Sequence, residues 1–124
     1  MTHLDDDDRR ALHLQLDTLR RQVLDELLAS APAAQALPSE GDREVTTHAD
    51  EAEAERAADV RLAEIEIDRA RLEAVEQALA RLATGQYGIC EDCGAEIPRA
   101  RLLAQPTAIR CKACQTAAEA HRRH

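Results

Sequence analysis

The sequence predicts an all-α protein: an antiparallel coiled-coil hairpin over residues 1–84, with a tip loop near 31–50, followed by a C-terminal four-cysteine zinc finger and terminal helix over 85–124. Three observations carry this reading. Two long segments repeat apolar residues at helical spacing, aromatic residues are almost missing, and all four cysteines stand in two CxxC pairs near the C-terminus. With no Trp, no Phe and a single Tyr, Tyr87, the chain lacks the side chains that usually supply much of a thick core. Leu, Ile, Val and Ala must do the packing, which suits thin helical layers. At 124 residues there is material for a hairpin and a small stapled module, but not for an enzyme domain as well.

The first helix is predicted in "DDDDRRALHLQLDTLRRQVLDELLAS". Acidic residues crowd its start, where they complement the helix dipole. Leu12, Leu16, Leu19, Val23 and Leu27 then recur every three or four residues and so share one face. Pro32, Pro38 and Gly41 break the pattern. The connector they mark is longer than the ~2–8 residues that usually join two helices, and loops that long tend to be functional or disordered.

The second helix is predicted in "DEAEAERAADVRLAEIEIDRARLEAVEQALARLA", 34 residues without Gly or Pro. Ile65, Leu72, Val75, Leu79 and Leu82 keep the spacing of a coiled-coil seam, and Gly85 stands where a C-terminal cap would end it. An ordinary bundle would need a third long helix, and none is available. At the start of this helix, Thr47-His48-Ala49-Asp50 fits a capping pattern. Favouring a helix start is therefore a sufficient local reason for Asp50.

Cys90, Cys93, Cys111 and Cys114 have the spacing of four thiolate ligands around one Zn²⁺, and Gly94 follows the first pair where a knuckle needs an unusual backbone angle. A closed site of four cysteines has no open position for water or substrate. The expected zinc is thus structural, and no enzyme activity is expected of it. A redox CxxC would instead open a helix after a strand, and no strand pattern precedes Cys90.

Charge narrows the partners. Residues 1–89 carry 10 basic and 20 acidic side chains, net −10, while residues 90–124 carry 6 and 4, net +2. An acidic arm with a mildly basic end suits a protein partner with a positive cleft, and equally a simply solvated surface. It suits DNA poorly, because duplex binding depends on neutralising phosphates. A DNA-reading finger with similar cysteine spacing would want more cations than Arg110, Lys112, Arg122 and Arg123. No sequence-specific DNA binding is expected. No apolar run is long enough for a membrane span, and "MTHLDDDDRR" lacks the apolar stretch of a signal peptide, so a cytoplasmic protein is expected.

Cys90-x-x-Cys93, Ile97, Arg101, Leu102, Ala104, Pro106 and Cys111-x-x-Cys114 resemble the signature of the TraR/DksA-type C4 zinc fingers. The resemblance implies a transcription regulator that binds RNA polymerase directly, its coiled-coil tip entering the secondary channel and its finger forming the base. It also implies an acidic tip motif near the active centre. Here "THADEA" matches it, with Asp50 and Ala52 at family positions and Thr47 where the family has its first Asp. Thr47 can still cap the helix, but one negative charge is lost. The positions matching the family's basic contacts to the alarmone guanosine tetraphosphate are Ala74, Gln105 and Gln115, all uncharged. Alarmone cooperation is therefore expected to be weak or absent. A coiled-coil adaptor for another protein, or a DNA-binding finger, are the alternative readings.

Overall fold

A computed structural model describes residues 3–35 and 48–122 of the chain. Among these residues there are four helices and no strand: α1 (Asp6–Gln35), α2 (His48–Thr84), α3 (Arg99–Ala104) and α4 (Lys112–Arg122). The chain is an antiparallel helical hairpin carrying a C-terminal four-cysteine finger. It divides into two compact units, Met1–Arg20 with Glu73–His124, and Arg21–Leu72.

The first unit joins the base of the hairpin to the finger through one apolar cluster. Leu12 and Leu16 of α1 meet Val75 and Ala78 of α2, and the same cluster continues through Leu4, Tyr87, Cys90, Ile97, Leu102 and Ala108. Leu19, Leu79 and Leu82 pack on its edge. Of the seam residues expected from the sequence, Leu12, Leu16 and Val75 are buried in this cluster and Leu19, Leu79 and Leu82 partly so.

Both helix ends in this unit are chemically specified. At the start of α1, the Asp8 N–H donates to Asp5 Oδ1 (2.7 Å) and the Asp5 N–H donates to Asp8 Oδ2 (3.2 Å). This reciprocal box satisfies two backbone donors that the first turn would otherwise leave open. At the end of α2, Gly85 has φ of 78°. It lets the Gln86 N–H reach the Arg81 carbonyl at 2.9 Å while its own N–H points to Leu82 O at 3.4 Å. That is a Schellman stop, and the expected cap at Gly85 is present.

The second unit is more thinly packed. Val23 is fully buried, whereas Leu28, Val60, Leu62 and Ile67 are exposed. Ile65, Leu72 and Leu27 are half-buried. The sequence pattern steps over a full heptad from Ile65 to Leu72, and Asp68 occupies the missing position, only 9% exposed. Arg71 stands 3.3 Å from Asp68 and 3.3 Å from Glu26, joining α1 to α2 across the seam.

The break expected at Pro32 does not end α1, which continues to Gln35. A proline forfeits one bond to the carbonyl four residues back, here Leu28, and the turns before it keep their ladder. With α2 starting at His48, both helices reach into the stretch expected as loop. Thr47 lies outside the described residues.

Candidate metal centre

The finger begins with a turn at Gly88, whose φ is 85°. A Cβ there would stand 3.0 Å from Leu4 Cδ1, so glycine meets both a conformational and a packing need. The chain then doubles back. Ile89 bridges Glu96, the Cys90 N–H donates to Ala95 O at 2.7 Å, and the Ile97 N–H donates to Gly88 O at 2.7 Å. Between these arms lies the first knuckle, closed by the Gly94 N–H on Cys90 O at 3.0 Å. The left-handed angle expected at Gly94 is found, with φ of 75°.

The second pair is brought up by α3 and α4. Leu102 anchors α3 in the core, and the Tyr87 hydroxyl donates to Pro106 O at 2.8 Å, fixing the chain after α3. Cys111 immediately precedes α4 and Cys114 lies in its first turn. Two links sew this pair to the first knuckle. The Glu91 N–H donates to Ile109 O at 2.8 Å. The Arg110 guanidinium stands 2.8 Å from Asp92 and 3.6 Å from Glu91.

The four sulfurs all lie within 4.8 Å of one another, and Cys93 Sγ is 3.8 Å from Cys111 Sγ. A tetrahedron with Zn–S bonds of ~2.3 Å has sulfur–sulfur edges of about 3.8 Å. The cluster therefore has the size of a single zinc site. Its proton chemistry asks for a cation. Burial pushes the Cys90 thiol up, but the backbone N–H groups of Cys111, Cys93 and Asp92 outweigh it and bring the thiol down to about 6. The Ala95 N–H favours ionised Cys93, yet contacts with Cys90 and Cys111 raise that thiol overall. Cys114 is driven strongly upward, first by Cys111 and then by Cys90 and Cys93. Thiols this close cannot all ionise alone, and a divalent ion at their centre removes the conflict. The donor set fits one structural Zn²⁺.

The expected tip residues lie in the other unit. Asp50 is exposed in the first turn of α2 and Ala52 is half-buried just beyond it. Of the uncharged positions Ala74, Gln105 and Gln115, the first is half-buried in α2 and the second caps α3. Gln115 gives its amide to Glu119 at 3.0 Å.

Several residues that build the site had no sequence reading. Arg81 donates to Ile89 O at 2.6 Å and Gln86 O at 3.2 Å. His3 hydrogen-bonds Ile97 O through its ring, and Asp8 holds Arg99 at 2.8 Å. The acidic start of α1 marks Asp8 only as a helix-start residue, and the contacts with Ile89, Ile97 and Arg99 join residues too far apart in sequence to leave a local pattern.

Residues 85–120 match the family of the prokaryotic dksA/traR C4-type zinc finger. The chain is 39% identical over 93 residues to the RNA polymerase-binding transcription factor DksA of Escherichia coli K12, covering 67% of this chain and 62% of that one. It is 54% identical over 43 residues to general stress protein 16O of Bacillus subtilis, covering 35% of this chain and 26% of that one. It thus spans less than two thirds of the length of either relative. In three dimensions it resembles transcription factor DksA2 of Pseudomonas aeruginosa, with a TM-score of 0.79 and 25% identity over 98% of this chain and 91% of that one.

Proposed function

This chain belongs to the DksA/TraR family of C4-type zinc-finger proteins, and we propose that it regulates transcription by binding RNA polymerase directly. In this reading Cys90, Cys93, Cys111 and Cys114 ligate one Zn²⁺ that shapes the base. The hairpin tip enters the secondary channel, Asp50 acts on the active centre, Ala52 packs beside it, and Thr47 stands where the family carries an acid. The observation that carries the reading is Asp50, exposed in the first turn of a 37-residue helix whose far end runs into the finger. A carboxylate ~6 Å from a metal-bearing centre contributes about 3 kcal/mol per unit charge at an effective dielectric of ~20. Favouring its own helix start is worth only ~0.3–1 kcal/mol. The larger effect supports reading Asp50 as an acid that works on a partner.

The same reading gives the alarmone a weak role at most, since a polyanion finds no cation at Ala74, Gln105 or Gln115. It also sets DNA aside. Arg110, the residue before Cys111, is engaged with Glu91 and Asp92. Co-purification with core RNA polymerase tests the proposal. The tagged chain should retain polymerase and alter transcription from a sensitive promoter. A chain that shifts DNA fragments without retaining polymerase would be a DNA-binding finger, and one that retains some other protein would be an adaptor.

A further inference from the structure

The finger is gripped by side chains from both hairpin helices. From α2, Arg81 takes the carbonyls at the finger's entry. From α1, Gln15 donates to Leu103 O at 3.2 Å. The residues leading into α1 add His3 on Ile97 O and Leu4, 3% exposed, against Gly88. The acidic member of this grip is Asp8, whose side chain is 10% exposed and stands 2.8 Å from Arg99, the first residue of α3. Neither Asp8 nor Arg99 is a zinc ligand or part of the apolar core.

We infer that Asp8 and Arg99 are a positioning pair for regulation, holding the finger fixed on the base of the hairpin so that the active acid of α2 is presented in one place. The inference rests on the polymerase reading above. α2 has 37 residues, about 55 Å at 1.5 Å per residue, so a tilt of about 5° at its base displaces its other end by about 5 Å. Electrostatic action on a reacting centre falls off over such a distance, whereas binding through the finger does not depend on it. Loosening the pair should therefore separate binding from regulation. Asp8 is too deeply placed to touch a partner itself, and because its Oδ2 also accepts from the Asp5 N–H, a cycle with Arg99 is needed to isolate the pair.

A double-mutant cycle on the full zinc-loaded chain tests this, using Asp8→Asn, Arg99→Ala and the double variant, with Arg99→Lys as the conservative replacement. Zinc content and helicity are checked first. Arg99 is 60% exposed, so its variants keep the test alive if Asp8→Asn folds poorly. Each single variant and the double should show a maximal effect on transcription, at saturating protein, about five- to tenfold smaller than the parent's. Polymerase affinity should stay within about twofold of the parent, and Arg99→Lys should restore most of the effect. Additive losses, or a loss with Arg99→Ala that Asp8→Asn does not share, would mean that Arg99 meets the polymerase itself and would overturn the pair. So would an affinity that falls in step with the effect, or variants that regulate like the parent. A parent that never binds polymerase would fail the wider reading, and the pair's role with it.

Discussion

Asp50 and Asn differ by a charge and little else, so Asp50→Asn separates regulation from helix capping. It should bind polymerase nearly as well as the parent and lose most of its effect in a transcription assay, while Thr47→Asp should strengthen the parent's effect. If Asp50→Asn regulates normally, the working contact lies elsewhere on the tip. Tyr87 provides a prediction that needs no partner. Burial raises its hydroxyl from 10.0 to about 12. The folded state thus holds the proton more tightly than the unfolded one. The stability this provides is complete below pH ~10 and is lost as pH climbs from there towards 12. Tyr87→Phe should remove that dependence in denaturant titrations and cost about 1 kcal/mol through the missing bond to Pro106. The cysteines were legible because they sit in a short pattern with a chemical reason. The finger contacts of Asp8, His3 and Arg81 were not, since those partners lie 5 to 94 residues away and only folding supplies them.

Elements follow local rules where those rules are strong. Gly85 was readable as a stop because few other residues adopt its backbone angle. Gly85→Ala should destabilise the chain by about 1 kcal/mol, seen as a lower denaturation midpoint with an unchanged slope. Pro32 misled for the opposite reason. A proline weakens a helix at one bond, and the sequence does not reveal whether the next turn holds. The seam in α2 was legible except at Asp68, where a charged residue occupies an apolar position and reads as a gap. Buried polar groups of this kind cost stability and can fix the register of two helices. Asp68→Leu should leave thermal stability unchanged or raise it by about 1–4 kcal/mol, since Arg71 and Glu26 are each about half exposed and remain solvated. A clear drop in the melting temperature would show that the Asp68–Arg71–Glu26 link is a net source of stability.

In the whole molecule, the finger and the hairpin base share one core, which two separate sequence segments did not announce. Cys90 is counted in the same apolar cluster as Leu12, Leu16 and Val75. Chelating the zinc should therefore loosen more than the finger. Amide exchange should quicken across residues 5–20 and 73–122 together, while 21–72 retains more of its helicity. Loss confined to 85–122 would mean that the base stands without the finger. The lone aromatic ring has a practical side as well. Tyr87 is 4% exposed beside the finger, and the chain has no Trp or Phe to compete with it. Ultraviolet emission and near-ultraviolet circular dichroism of the metal-free chain thus originate almost wholly from one ring. The native sequence carries its own optical reporter, and the opening of the finger can be timed without attaching a dye.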